Sequence, residues 1–484
     1  MQELKATSLC DLPEELILEI LENYMHERQD LASLSLTCGK LHRIVEPLLY
    51  RHVELKPKFP ALPFLMRTLL RRPDLAYLVK RLDVDGSAPL EAGDTHTFDL
   101  EHWSKAFDPK LDGVKTPDLL LLEAAYESRS EACNLRPPAV QSSIQPLLLH
   151  YPMFNLLLLL LPGLADLRLV NVPSHMIGYP GIRQRERFPE AFSQHAFNSI
   201  TKVSYLHCYF LALGYSEPWA SDIPNVKEIS VDPGSLSGRD ILRLAFPVDN
   251  IERINICHNY YERRRMASLI KYCRNLKSLG ISFEFPWHFS TVGNNSRPSR
   301  CIQLLAEALL DRIDTLQYLR LKFDSHSRAH FSMKHEDMAP LIRSLGKLEN
   351  LKTLEMPTWI FDLDLYESPS PRVDPTAIVQ SLLPASLKQL VLNHVDVSSH
   401  KIGTAIKTIS SNAKEFWPRL REIRITESAR ECESGFRTES RFRESSVGKL
   451  AESCLKDSGI ILSFEAPDRS VLYRPWHVIS EDNR

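Results

Sequence analysis

A six-residue phrase, apolar-x-x-apolar-x-apolar, keeps returning in this chain behind helical stretches, and it leaves little choice of fold. It occurs as Val79-x-x-Leu82-x-Val84, Leu164-x-x-Leu167-x-Leu169, Ile200-x-x-Val203-x-Tyr205, Val226-x-x-Ile229-x-Val231 and Ile251-x-x-Ile254-x-Ile256. It continues as Leu276-x-x-Leu279-x-Ile281, Leu316-x-x-Leu319-x-Leu321, Leu351-x-x-Leu354-x-Met356, Leu387-x-x-Leu390-x-Leu392 and Leu420-x-x-Ile423-x-Ile425. The last two apolar residues of each phrase fall on one side of a short strand, and the residues between them point to the other. Strands of this kind, each reached through a helix, stack into a parallel sheet with a continuous core.

Helices are legible between the strands at Asp240–Phe246, Arg263–Cys273, Cys301–Ile313, Asp337–Leu348, Thr376–Leu383 and Ile402–Phe416, with a last helix at Val447–Asp457 and a last strand at Ile460–Phe464. Their apolar stripes suit a sheet-facing side, as Leu304, Leu305, Ala308 and Leu309 illustrate. From Leu167 to Ile423 the middle residues of successive phrases are 36, 26, 25, 25, 40, 35, 36 and 33 residues apart. Steps in the mid-twenties match a leucine-rich repeat, and the longer ones match it with insertions. A doubly wound α/β domain also alternates helix and strand, but it wants long Val/Ile-rich strands and a glycine-rich phosphate loop, and neither is present. The expected class is therefore α/β, with an irregular leucine-rich-repeat solenoid over 54–466 and a tail at 467–484. Insertions are expected at 86–117, 173–189, 286–300 and 427–446, the last charged, serine-rich and nearly without large apolar residues.

Ahead of the repeats, residues 8–53 read as three short helices running into a strand. Asp11 and Glu14 have the spacing of an Asp-x-x-Glu helix start, and Pro13, Glu14 and Glu15 suit a first turn. Leu12, Leu16, Ile17, Ile20, Leu21 and Tyr24 form one broad apolar face. A second helix is expected from Asp30 with Leu31, Leu34 and Leu36, and a third from about Lys40 with Leu41, Ile44 and Val45, stopped by Pro47. Arg51–Leu55 then alternates. About forty residues cannot bury this many apolar side chains among themselves, so something else must cover the remainder. The order Leu12-Pro13-Glu14-Glu15-Leu16, Ile20, Asp30-Leu31, Leu34, Leu36-Thr37-Cys38 and Pro47-Leu48-Leu49-Tyr50-Arg51-His52-Val53 resembles an F-box of the fungal kind. The resemblance implies that Leu12, Pro13, Leu16, Ile20, Leu31 and Leu34 help dock on the Skp adaptor of a cullin–RING ubiquitin ligase. Many F-boxes carry a tryptophan where this chain has Leu41-His42. The alternative is an amphipathic helical cap on the repeats.

Composition narrows the function. The 484 residues carry 59 basic and 61 acidic side chains, a net charge of −2, so no bulk field draws the chain to nucleic acid or anionic lipid. Nine scattered cysteines without a Cys-x-x-Cys pair, and an N-terminus without a basic-then-apolar signal pattern, suggest reduced thiols in the cytoplasm or nucleus. The apolar run Leu147–Leu161 is interrupted by His150, Pro152 and Asn155, too short to span a bilayer and better read as a buried helix. Catalytic, cofactor and metal constellations are not expected. His326 and His330 stand four apart without a glutamate between them, and His207-Cys208 and Cys257-His258 would point to opposite sides of a strand. Arg263-Arg264-Arg265 is a solvated helix face rather than a nucleic-acid site, lacking interleaved aromatics.

What remains is a surface. In a leucine-rich solenoid the residues between the core positions line the concave face. Here they are mixed in charge, as in Arg81, Asp83, Glu228, Glu355, Gln389, Asn393, Glu422 and Arg424. Tyr318, Arg320 and Lys322 bring an aromatic and two cations onto one strand, with Arg253 and Asn255 two strands earlier, and form the candidate target-binding patch. A merely soluble face is the alternative. Two functions fit: a substrate receptor that holds a protein target near the ubiquitin-charged enzyme, or a non-degradative scaffold with the same docking. An enzyme on a repeat scaffold is disfavoured by the missing motifs.

Overall fold

The structure is a computed structural model that describes residues 8–25, 28–55, 62–85, 157–158, 160–170, 198–206, 225–231, 248–256, 263–283, 298–323, 335–361, 375–393, 400–426 and 446–465. It divides into two compact units, residues 1–250 and 251–484. The first begins with a 3-10 turn, Leu9–Asp11, then α1 (Glu14–Tyr24), α2 (Arg28–Ser35), α3 (Gly39–Arg51) and β1 (His52–Leu55). It continues through α4 (Leu62–Arg71) and α5 (Pro73–Leu78) to β2 (Arg81–Asp85), β3 (Asp166–Val170), β4 (Lys202–Leu206) and β5 (Glu228–Val231).

The helical bundle corrects three local expectations. Asp11 does not start α1. Its carboxylate instead accepts the Ser8 N–H at 2.8 Å, closing a capping box on the 3-10 turn, while the cap position of α1 falls to Pro13. Pro47 does not stop the third helix, which runs four residues beyond it to Arg51. Proline cannot bond the carbonyl four residues back and its ring crowds that oxygen, but here Pro47 and Arg43 are both exposed, so water can serve the freed carbonyl. Nor is the apolar face of α1 a single surface. Ile17 and Leu21 close a small core with Leu31, Leu41, Ile44 and Val45, whereas Leu16, Leu18 and Tyr24 remain exposed.

In both units every expected phrase is a strand. β1 to β5 pair in parallel and in sequence, with Val53, Leu82, Leu167, Val203 and Ile229 in one cross-strand row. All five of those side chains are buried, as are the leading residues Val79, Leu164, Ile200 and Val226. The residue ahead of each strand supplies a second regularity: the Lys80 carbonyl accepts from both Ala165 and Asp166, at 2.8 and 3.0 Å, and the Ala165 carbonyl accepts from Thr201 and Lys202. One oxygen thus satisfies two donors of the next turn, which holds the register without side chains. β1 spans the expected boundary at 53/54, so the bundle and the sheet share a strand and no linker separates them.

The second unit contains β6 (Arg253–Ile256), α6 (Arg263–Tyr272), β7 (Ser278–Phe283), α7 (Pro298–Leu310), β8 (Tyr318–Phe323), α8 (His335–Leu345) and β9 (Thr353–Pro357). It ends with α9 (Pro375–Leu382), β10 (Gln389–Asn393), α10 (His400–Phe416), β11 (Glu422–Thr426), α11 (Ser446–Ser458) and β12 (Ile461–Glu465). Its parallel strands align Ile254, Leu279, Leu319, Leu354, Leu390, Ile423 and Leu462 in one row. The helices lay apolar sides inward. On α7, Leu305, Ala308 and Leu309 are buried as expected, joined by Ile302 and Ala306, while Leu304 is only half-buried. Trp417, fully buried after α10, donates its indole N–H to the Leu383 carbonyl at 2.9 Å and so ties successive repeats.

The helix start at Pro298 trims the insertion expected over 286–300. The helix expected at 240–246, the insertions at 86–117 and 173–189, most of the segment 427–446, the tail from 467, and the pairs His326/His330, His207-Cys208 and Cys257-His258 lie wholly or in part outside the described residues. Of the run 147–161, Leu157, Leu158, Leu160 and Leu161 are described; Leu160 is half-buried and the other three are buried. Among the described residues no helix is long and apolar enough to cross a membrane, and no three His, Cys, Asp or Glu groups could hold a metal.

Candidate functional site

Two surfaces concentrate side chains that the fold itself does not need. On the helical bundle, α1 turns Leu16 outward at 47% exposure and Leu18 at 38%, and Tyr24 and, after α2, Leu36 are exposed at 80% and 85%. These values matter because the bundle core is already closed by Ile17, Leu21, Leu31, Leu41, Ile44 and Val45. Of the expected docking residues, Pro13 and Leu16 are exposed and Leu12, Ile20 and Leu34 half-buried, so five of the six present surface on or beside α1 and α2. Leu31 is the exception. It faces inward in the bundle core and can support docking only by packing. Leu18, Tyr24 and Leu36 are further exposed apolar side chains, but Leu18, two residues from Leu16 and so about 200° round α1, lies on the other flank of the buried Ile17 and Leu21 stripe; nothing in a helical repeat says which flank of a broad stripe stays wet.

Where Leu41-His42 stands in place of tryptophan, Leu41 is buried and His42 exposed. Lys40 anchors this corner by donating to the carbonyls of Cys10 and Leu12, both at 2.8 Å. Helix order, a closed miniature core and apolar side chains left exposed outside it are now in view. Residues 9–56 match the family model described as F-box-like. The chain therefore carries an F-box-like domain whose matched span includes β1, the first strand of the sheet. No curated protein sequence matches the chain.

Behind the F-box-like domain, the outward side of β1 to β3 is a charged cluster. Arg81 donates to Asp83 through two nitrogens at 2.8 and 2.9 Å, and His52 Nε2 lies 3.1 Å from the same carboxylate. Burial works to raise Asp83, but hydrogen bonds from His52 and Arg81 outweigh it and bring its pKa down to about 2. Asp166 on the next strand behaves oppositely: burial pushes it up, and its Oδ1 is buried without a hydrogen-bond partner.

The second surface lies on β6 to β12. Register places Arg253 beside Ser278 and Ser278 beside Tyr318, and likewise Asn255, Gly280 and Arg320 in one row. The candidate residues on β6 and β8 are thus two strands apart, about 10 Å at ordinary strand spacing. Gly280 between them matters for close approach, since a Cβ there would sit 2.6 Å from the Asn255 amide oxygen. Asn255 fills the space a side chain on β7 would take.

Tyr318 and Arg320 do not simply face solvent. Both donate to Glu355 on β9, the tyrosine hydroxyl at 2.7 Å and the guanidinium at 2.8 Å, and Asn393 on β10 adds a third donor at 2.9 Å. Thr426 on β11 donates in turn to the Asn393 amide oxygen. A parallel chain runs from Thr353 through Gln389, which donates to Glu422 at 2.8 Å, to Ser463 and Arg424, both donating to Glu422. Burial tends to raise Glu422; these donors outweigh it and hold the carboxyl below the usual range. Glu355, Val391 and Asn393 are buried and only Thr353 and Gln389 half-exposed, so the β9–β10 part of the face is largely interior, contrary to the expected row of surface residues. Arg253 is exposed and Asn255, Ser278, Tyr318, Arg320 and Lys322 half-exposed, as are Glu422, Arg424 and Thr426 on β11 and Ser463 on β12, so β6 to β8 are one accessible stretch of this face.

Proposed function

We propose that the chain is the substrate-receptor subunit of a Skp–cullin–F-box ubiquitin ligase, not an enzyme in its own right. The F-box, of the fungal kind, holds the Skp adaptor, and a leucine-rich-repeat solenoid holds a protein target, in the cytoplasm or nucleus. Catalysis is then by proximity, the target being kept near a ubiquitin-charged enzyme. The observation that carries this reading is Leu16, 47% exposed on a bundle whose own core is closed, with Pro13 exposed and Ile20 half-buried about one turn to either side of it. A monomer gains nothing from such a surface, whereas an adaptor groove would cover it. The target patch is the basic stretch of β6 to β8, with Arg253, Asn255, Tyr318, Arg320 and Lys322, which suits an acidic segment of a folded protein.

The test is Leu16→Asp in full-length protein, mixed with purified Skp adaptor. A carboxylate at the centre of the docked face would be desolvated without a partner, costing several kcal/mol, enough to abolish co-purification. Because Leu16 is outside the bundle core, the melting temperature should stay within a few degrees of wild type. Undiminished adaptor binding by a folded variant would sink the assignment.

A further inference from the structure

Cys10 and Cys38 meet inside the F-box-like domain with their Sγ atoms 3.4 Å apart. Cys10 belongs to the 3-10 turn, Cys38 is the N-cap of α3, and both are partly exposed. The environment separates the two thiols. The Cys38 sulfur accepts the Leu41 N–H at 3.5 Å, at the positive end of a 13-residue helix. Lys40 brings a cation to the same corner and, through its bonds to the Cys10 and Leu12 carbonyls, pins the 3-10 turn against α3. The Leu41 N–H and then the Cys10 thiol hold Cys38 below the ordinary thiol range. That same sulfur–sulfur hydrogen bond, with burial second, pushes Cys10 up. A thiolate beside a thiol is the arrangement that redox-active pairs use.

We propose that Cys10 and Cys38 form a dithiol that a hydroperoxide oxidises to a disulfide, with Cys38 attacking and Cys10 resolving. The Cys38 thiolate attacks one peroxide oxygen: an S–O bond forms, the O–O bond breaks, and the leaving alkoxide or hydroxide takes a proton. Cys38 is then a sulfenic acid. Cys10 attacks the Cys38 sulfur, the S–S bond forms, the S–O bond breaks, and the departing hydroxide leaves as water with the Cys10 proton. Two electrons pass from the sulfurs to the peroxide, and two thiols with one hydroperoxide give a disulfide, water and an alcohol or second water. The sulfurs need approach only roughly 1.4 Å to reach disulfide length. The product ties the turn before Leu12 and Pro13 to α3, and the inference stands whether or not the bundle docks on a Skp adaptor.

The experiment uses full-length protein, reduced, freed of reductant and treated with near-stoichiometric hydrogen peroxide. Remaining thiols are alkylated after denaturation and the digest is read by mass spectrometry. Expected is a Cys10–Cys38 cross-linked peptide, lost on reduction, at peroxide levels where the buried Cys273 stays alkylatable. In Cys10→Ser, dimedone should capture Cys38 as a sulfenic acid, and in Cys38→Ser, Cys10 should remain a thiol. In the native wild type, Cys38 should alkylate several-fold faster than Cys10 at neutral pH. A wild type in which both cysteines stay reduced while other partly exposed thiols oxidise would overturn the proposal. So would dimedone capture of Cys10 in place of Cys38.

Discussion

Asp83 lies between His52 on β1 and Arg81 on its own strand, and its folded pKa of about 2 stands against an ordinary 3.8. A carboxylate lowered on folding contributes stability that is present in full above its unfolded value and is lost as pH falls through 3.8 towards the folded value. With solvent screening the contribution is on the order of 1–2 kcal/mol. Asp166, raised by burial, acts in the other sense: its ionised form costs stability, and that cost is relieved on acidification. Asp83→Asn isolates the first effect. Urea unfolding between about pH 5 and pH 2.5 should show the wild type losing its advantage over the variant, both having unfolded more nearly alike at the acid end. A gap between the two that stays constant across this range would mean that Asp83 is not held by its neighbours. None of this was legible in sequence, where Arg81 and Asp83 are two members of a mixed-charge row; His52 joins them only because β1 pairs with β2.

At the level of elements the sequence was far more informative. The apolar phrase marks a strand at each described occurrence because both its final residues must be buried at a spacing of two, and no helix can do that. Chain order then equals sheet order within each unit, since each strand is followed by its own return segment. Helices α4 and α5 leave no clear period in the sequence. Leu62, Phe64, Leu65, Met66, Leu69 and Leu70 surround α4 on several sides, which blurs any period, and Pro63 reads as a breaker although it lies in the first turn, where proline is tolerated. The strand assignment has a sharp consequence on β7. Leu279 is fully buried and Ser278 half-exposed, one residue apart on opposite sides. Leu279→Asp should therefore cost several kcal/mol and unfold the second unit at ambient temperature, while Ser278→Asp, beside Arg253, should stay within about 0.5 kcal/mol of wild type. Circular dichroism melts of the two variants make the comparison, and equal losses would mean that the facing of β7 is misread.

On the scale of the molecule, the proposed docking surface and the proposed target patch fall on different units, one on α1 and α2 of the first and the other on β6 to β8 of the second. Each should therefore be removable alone. The choice of substitution follows from the polar chain on the sheet. Arg320→Glu would set a carboxylate against Glu355, which is buried and already accepts from Tyr318, Arg320 and Asn393, so loss of a target there would not distinguish recognition from unfolding. Arg253 and Lys322 are an exposed and a half-exposed cation on the flanks of the same patch. Reversing both changes the local field by four charges at a distance of a few strands, which an acidic segment would feel as repulsion of several kcal/mol before screening. Arg253→Glu with Lys322→Glu is thus expected to strip target proteins from the purified complex while leaving adaptor recovery unchanged; Leu16→Asp should lose the adaptor while retaining the targets. Quantitative proteomics of the two variants beside wild type decides it. If the double reversal leaves the recovered targets unchanged, the β6–β8 face is only a solvated surface and the target is held elsewhere on the chain.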